Sequence, residues 1–126
     1  MAEKTNPKVA IIEDDLAIVQ MYRLKFEQEG YTVKTAGDGM VGLKLIQEFN
    51  PDIVLLDLMM PGMNGLDVLG HIRKDPKMKD LKVVVLTNMG DAETASKVYK
   101  MKASDYIVKA DMTPKEVSEK IKKLLA

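Results

Sequence analysis

The chain has 126 residues, 46% hydrophobic and 30% charged, with no cysteine and a formal net charge of zero. That length buries one core with little room for a second, so a single domain over residues 1–126 is expected, with residues 1–6 as a flexible N-terminus. The missing cysteines exclude disulfides, thiolate zinc sites and cysteine nucleophiles, and with no apolar leader or span-length run the chain reads as soluble and cytoplasmic.

Charge is split, −4 over residues 1–63 and +4 over 64–126, and there are two arginines, Arg23 and Arg73. A nucleic-acid module needs a stronger cationic footprint, so the lysine-rich half reads as a solvated helical surface or as a docking face for a protein. Direct nucleic-acid and membrane binding are not expected.

Taken in order, Val9–Ile12 is a short apolar run that reads as a buried strand and ends on Glu13-Asp14-Asp15. Leu16, Val19, Tyr22 and Phe26 recur at helical spacing up to Gly30, predicting a first helix over 16–29. Tyr31–Ala36 is β-branched and roughly alternating, a second strand at a sheet edge. Asp38 is placed to cap a second helix with Val41, Leu45, Ile46 and Phe49 facing inward, and Asn50-Pro51 ends it.

Ile53–Leu56 is the most apolar run, and it ends on Asp57 before Pro61-Gly62 and Asn64-Gly65 turn the chain. Burying an unpaired carboxylate costs several kcal/mol or more, so Asp57 has to emerge at the sheet edge or meet a cation there. Leu66, Leu69 and Ile72 mark a third helix capped by Asn64. Leu81–Leu86 forms a fourth strand ending on Thr87-Asn88. A fourth helix over 92–101, capped by Asp91, has a thin stripe of Ala95, Val98 and Tyr99, which makes it the most weakly held of the set and a moving part. Ser104–Val108 is a fifth strand ending on Lys109. Thr113-Pro114-Lys115-Glu116 then has the grammar of a capping box opening a fifth helix.

Five strand-helix units in strict alternation predict an α/β/α sandwich with a five-stranded, all-parallel sheet. Ligands of such sheets bind outside the carboxyl ends of the strands, where Asp14, Asp57, Thr87 and Lys109 all fall. Glu13, Asp14 and Asp57 together would repel one another without a cation. Lys109 supplies one positive charge, and a hard divalent ion such as Mg²⁺ suits the remaining oxygen donors. Acids, a metal, an ammonium and a hydroxyl around one carboxylate are what phosphoryl transfer to an aspartate requires. Taken singly, Asp14 or Asp15 reads as a helix cap and Thr87 as a turn hydroxyl; their joint order along four strand ends is what points to a site.

Those motifs, Ile11-Ile12-Glu13-Asp14-Asp15, Leu55-Leu56-Asp57 through Asn64-Gly65, Val85-Leu86-Thr87 and Tyr106-Ile107-Val108-Lys109, resemble the receiver domain of two-component response regulators over essentially the whole chain. The resemblance is to single-domain, chemotaxis-regulator-like members. It implies a flavodoxin-like (βα)5 fold with strand order 2-1-3-4-5. It further implies that Asp57 accepts a phosphoryl group from a histidine kinase. Mg²⁺, with Mn²⁺ able to substitute, is then held by Asp14, Asp57 and the Met59 carbonyl, with Glu13 acting through a metal-bound water. Thr87 and Tyr106 are implied as the switch, reshaping the face made by the fourth helix, fifth strand and fifth helix for a protein partner.

The resemblance thus makes the chain a phospho-accepting regulator, not an enzyme beyond slow self-phosphorylation and self-dephosphorylation. Its partners would be a sensor kinase or phosphotransfer protein and a protein target. It would be a monomer able to dimerise when phosphorylated. A phosphorelay intermediate and a receiver cut from a longer regulator are the alternatives. A phosphatase would want a second acid at the position of Met59, and a phosphorylation-independent binding module would not need the site intact. Three departures from the family pattern stand out: Ala110 where proline and a cis bond are usual, Asn88 where a small residue is common, and Met59 and Met89 at positions two past Asp57 and Thr87. His71 reads as an exposed surface residue and the ten methionines as core filler.

Overall fold

The structure, a computed structural model, describes residues 6–88 and 90–126; the expectations for residues 1–5 and for Met89 lie outside the described residues. Strands β1 (Lys8–Ile12), β2 (Thr32–Ala36), β3 (Ile53–Asp57), β4 (Lys82–Thr87) and β5 (Asp105–Val108) alternate with helices α1 (Leu16–Gln28), α2 (Gly39–Phe49), α3 (Gly65–Lys74), α4 (Ala92–Lys100) and α5 (Pro114–Leu125). All strand pairs are parallel, in the order β2-β1-β3-β4-β5. The expected topology is therefore present, and the expected edge position of β2 with it.

A parallel sheet buried on both faces needs strands that are apolar at every position, since successive side chains point to opposite layers. Ala10, Ile12, Val54, Leu56, Val83 and Val85 build one core with Ile46 and Phe49 of α2, Val68, Leu69 and Ile72 of α3, and Val98 of α4. Val9, Ile11, Ile53, Leu55, Val84 and Leu86 build the other with Val19, Tyr22 and Phe26 of α1 and Val117 and Ile121 of α5. Two helices cover one side and three the other.

Each helix starts where a side-chain oxygen takes up otherwise unpaired N–H groups of the first turn. Asp15 caps α1, Asp38 α2, Asn64 α3, Asp91 α4 and Thr113 α5, the third and fifth as full capping boxes. The α3 box pairs Asn64 with Asp67, a partner the sequence reading did not single out.

Three inward assignments are corrected. Of the methionines expected as core filler, Met21, Met40 and Met59 are exposed on the surface. Leu16 is 77% exposed and Val41 55% exposed. Leu16 continues the Val19–Tyr22–Phe26 stripe but sits at the first turn of α1, past the strand ends, where no sheet remains to cover it. Val41 lies one position off the true inner stripe of α2, which is Gly42, Ile46 and Phe49. Glycine is required at position 42 because a Cβ there would lie 2.6 Å from Cγ2 of Ile12. In α3, Val68 is fully buried and was not anticipated.

The thin stripe of α4 is as expected: Val98 is its single buried residue, and Tyr99 is exposed. The C-terminal end of that helix is nonetheless fixed. Arg73 of α3 donates to the carbonyls of Lys79, Leu81, Met101 and Lys102 at 2.8–3.0 Å, clamping the loop after α3 to the loop after α4.

The start of α3 is pressed against the end of β3. A Cβ on Gly65 would fall 2.4 Å from the carbonyl oxygen of Asp57 and 2.7 Å from Cα of Leu58, closer than real contacts allow. Gly65→Ala is therefore expected to lower stability by about 1–3 kcal/mol, the usual cost of overpacking. Chemical denaturation of the two proteins measures it, and a wild-type midpoint would contradict the close approach.

Candidate functional site

The carboxyl ends of β1 and β3 lie side by side, with Ile12 in register with Leu56. The residues that follow therefore meet. Glu13, Asp14 and Asp57 each bring a carboxylate oxygen into a group whose members lie within 4.8 Å of one another. Glu13 and Asp57 are buried, at 1% and 2% exposure, while Asp14 is exposed and opens the group to solvent. The ambiguity between Asp14 and Asp15 is resolved by division of labour: Asp15 accepts from the N–H groups of Ala17 and Ile18 as the α1 cap, leaving Asp14 to the cluster.

One ammonium reaches into this group. Lys109, one residue past β5, pairs with Glu13 Oε1 and lies 3.6 Å from Asp57 Oδ1. The other Glu13 oxygen, Oε2, accepts from the N–H of Asp15 at 3.1 Å. Asp57 Oδ1 accepts from the N–H of Met59 at 3.2 Å. Backbone holds the loop beneath: the N–H of Leu58 donates to the carbonyl of Leu86, and that of Gly65 to Leu58. Lys109 is thus shared between the two buried acids, closer to Glu13.

Three carboxylates facing one lysine form an electron-rich pocket of hard oxygen donors. Charge count and donor type together fit a small divalent cation such as Mg²⁺, which takes few protein carboxylates and keeps water. Carboxylates 4.8 Å apart repel by roughly 3 kcal/mol per pair even at an effective dielectric near 20, so the cluster is a place where a cation is stabilising.

Thr87 ends β4, buried, in register with Val108 of β5. Tyr106 lies in β5 opposite Val85, half-buried, with its ring 6.4 Å from that of Tyr99 on α4. Burial, and next the charge of Asp91, push the Tyr106 phenol above its ordinary range, so it stays protonated. Asp91 holds the N-terminus of α4, accepting from the Thr94 N–H, and that bond draws its carboxyl below the usual range. The segment after Lys109 is a short 3-10 turn, Lys109–Asp111, and no cis peptide occurs among the described residues, so the Lys109–Ala110 bond is trans. Asn88 is exposed beside Thr87, and His71 is exposed on α3 as expected.

Sequence reasoning placed Asp91 as the cap of the fourth helix, as the structure has it. It missed the approach of Asp91 to Tyr106 and the Met59 N–H bond to Asp57, the latter a consequence of the turn after β3 that no side-chain pattern reports.

The protein-family comparison assigns residues 9–122 to the response regulator receiver domain. Among relatives, the DNA-binding dual master transcriptional regulator RpaA of Synechocystis sp. is 36% identical over 87 residues, 69% of this chain and 36% of that protein. The chain spans about a third of the length of the curated relatives it matches. Among solved structures, the receiver domain protein of Methanospirillum hungatei superposes with a TM-score of 0.88 at 28% identity, covering 95% of this chain and 94% of the other. The chemotaxis response regulator CheY4 of Vibrio cholerae gives 0.86 at 26% identity, covering 97% and 100%.

A doubly wound sheet with acids gathered at its strand ends defines the class as a flavodoxin-like signalling fold. The chain belongs to the response regulator receiver domain family of two-component systems.

The cluster generates a thermodynamic prediction. In metal-free buffer, Asp57→Asn relieves repulsion and leaves the Glu13–Lys109 pair intact, so it is expected to raise the unfolding midpoint by several degrees, about 1 kcal/mol. Mg²⁺ is expected to stabilise the parent protein by mass action and the variant much less. Thermal unfolding with and without Mg²⁺ reads both; equal Mg²⁺ increments would remove Asp57 from the cation site.

Proposed function

We propose that this chain is a single receiver domain, working in the cytoplasm as a phosphorylation-dependent switch with Asp57 as the phosphoryl acceptor. The observation that carries the reading is a carboxylate buried to 2% exposure at the end of the central strand, with the Lys109 ammonium 3.6 Å away and two further acids beside it. No stability argument calls for that arrangement, since buried ionic clusters are weak stabilisers compared with apolar packing.

In the proposed reaction an Asp57 carboxylate oxygen attacks the phosphorus of a phosphohistidine on a sensor kinase or phosphotransfer protein. The P–O bond forms as the P–N bond breaks, and the imidazole leaves with the electron pair. A divalent cation held by Asp14, Asp57 and the Met59 carbonyl would supply positive charge to the transferring oxygens. Lys109 holds Asp57 and would follow the new phosphoryl oxygens, and Thr87 donates its hydroxyl to them. Glu13 acts through water: one of its oxygens is taken by Lys109 and the other by the Asp15 N–H, which leaves little for direct ligation. The chain accepts one phosphoryl group and does not turn over an external substrate.

Output would run through α4. Drawing Thr87 toward the phosphoryl group frees space beside β5 for Tyr106, whose ring now packs against Tyr99 and whose phenol lies near Asp91. A shift of Tyr106 therefore changes its contacts at both ends of α4, with Asp91 at the N-cap and with Tyr99 in the last turn, while Arg73 keeps the loop after the helix fixed. The face of α4, β5 and α5 changes shape for a protein partner, a population shift biased by one added group. The relative named above as DNA-binding, RpaA, is a longer chain; what this receiver controls would be read through that face.

Incubation with a small phosphodonor and Mg²⁺, followed by intact mass measurement, is expected to show one base-labile phosphoryl group. Absence of the adduct, or its persistence in Asp57→Asn, would sink the reading. The lifetime of the adduct is a second expectation. Met59 and Met89, the latter outside the described residues, bring no polar side chain to orient an attacking water. Met59→Asn combined with Met89→Glu is expected to speed hydrolysis roughly tenfold, the scale of one or two aligned hydrogen bonds; an unchanged half-life would remove these positions from the account.

A further inference from the structure

The thioether next to the acceptor is itself a reactive group. Met59 is 66% exposed, whereas its neighbour Met60 is 8% exposed and belongs to the core. Met59 lines an open groove of about 540 Å³ with Leu58, Met60, Asn64 and Thr94. Its own N–H is hydrogen-bonded to Asp57 Oδ1, so its backbone is fixed relative to the acceptor carboxylate. An exposed, apolar methionine held at this distance from a hydrolysable bond has no packing role to explain it: no core cluster includes it.

We propose that Met59 is an oxidation site through which peroxides shorten the lifetime of phosphorylated Asp57. The inference rests on the reading of Asp57 as acceptor. The Met59 sulfur lone pair attacks the outer oxygen of a peroxide, an S–O bond forms and the O–O bond breaks. The proton of the transferred hydroxyl passes to the departing oxygen, which leaves as water or an alcohol. Sulfur loses two electrons and the peroxide gains them. The product is a sulfoxide, polar and a strong hydrogen-bond acceptor, in place of a group that accepts hydrogen bonds weakly.

The consequence follows from position. An acceptor oxygen on the side chain of residue 59 can hold a water beside the acyl phosphate of Asp57. That water attacks phosphorus, the bond from phosphorus to the Asp57 oxygen breaks, and the free carboxylate and inorganic phosphate result. Met60 is buried and Met63, Met78, Met101 and Met112 are partly buried, so among the described residues the most accessible thioethers are Met21, Met40 and Met59. Of these, Met40 is 70% exposed but sits at the start of α2, and Met21 lies on α1. Neither follows β3, and neither is tied by its backbone to Asp57.

The test uses the intact chain and hydrogen peroxide at a dose that adds one or two oxygens. Peptide mapping is expected to find sulfoxide at Met59 and not at Met60. The phosphorylated half-life of the oxidised protein is expected to fall about fivefold, the worth of one ordinary hydrogen bond made in the transition state. Methionine sulfoxide reductase with dithiothreitol is expected to restore it. Met59→Leu is expected to lose the response and Met40→Leu to keep it.

An unchanged half-life with Met59 fully oxidised overturns the proposal. So does a response that persists in Met59→Leu, which would assign it to another thioether such as Met89. If the unoxidised protein forms no adduct at all, the acceptor reading fails first, a result distinct from an adduct whose lifetime ignores the sulfoxide.

Discussion

The constraint on which this structure depends is the confinement of three carboxylates and one ammonium at the carboxyl ends of β1, β3 and β5, beside a buried apolar sheet. Glu13 and Asp57 are withdrawn from water, and in that setting an unpaired charge is expensive while a pair is only weakly favourable. Lys109 is therefore obliged to serve both, and its position fixes where β5 must end relative to β1 and β3. The register of the whole sheet follows from the same requirement, because a shift of one residue would turn every strand end to the opposite face.

The rest of the molecule divides into parts that hold this arrangement and a part that is free to respond. Gly65 lets α3 begin against the carbonyl of Asp57, and the Asn64–Asp67 box secures that start. The capping bonds of Asp15 and the N–H of Met59 fix the two loops that carry the acids. On the other side, α4 offers a single buried residue, Val98, to the core. Its C-terminal end is tied down by the Arg73 bonds to the Met101 and Lys102 carbonyls, with the Tyr99 ring against Tyr106 in the last turn, and its N-terminal end is held by the Asp91 cap. A helix clamped at one end and lightly packed along its length is freest at the other, so the proposed response is directed toward Asp91.

The sequence made most of this legible because the governing signals are local. Continuous apolar runs ending on Asp, Thr and Lys announced buried parallel strands and their site residues together, and caps at Asp38, Asn64 and Thr113 placed helix starts to within a residue. What escaped was of two kinds. Leu16 and Val41 look inward by hydrophobicity, but whether a face meets anything depends on where the sheet stops, which no helical periodicity encodes. Arg73 gave no hint of its clamp because its partners lie up to 29 residues away and are backbone carbonyls, which every residue possesses. The strand order rested on resemblance and not on pattern, since alternation of strand and helix is compatible with several orders.

The division of Lys109 between two acids also bears on how such a site turns over. If Lys109 contacted Asp57 alone, a phosphoryl group on that carboxylate would leave the ammonium with one new acceptor set and Glu13 with no cation. Because Glu13 keeps its own claim on Lys109 and a second bond from Asp15, the lysine can swing toward new oxygens while Glu13 stays in place. The acid that holds the most bonds is thus the one asked to move least, and the acid with a single backbone bond, Asp57, is the one proposed to accept the phosphoryl group. Rigidity at Glu13 and freedom at Asp57 are two consequences of one shared charge.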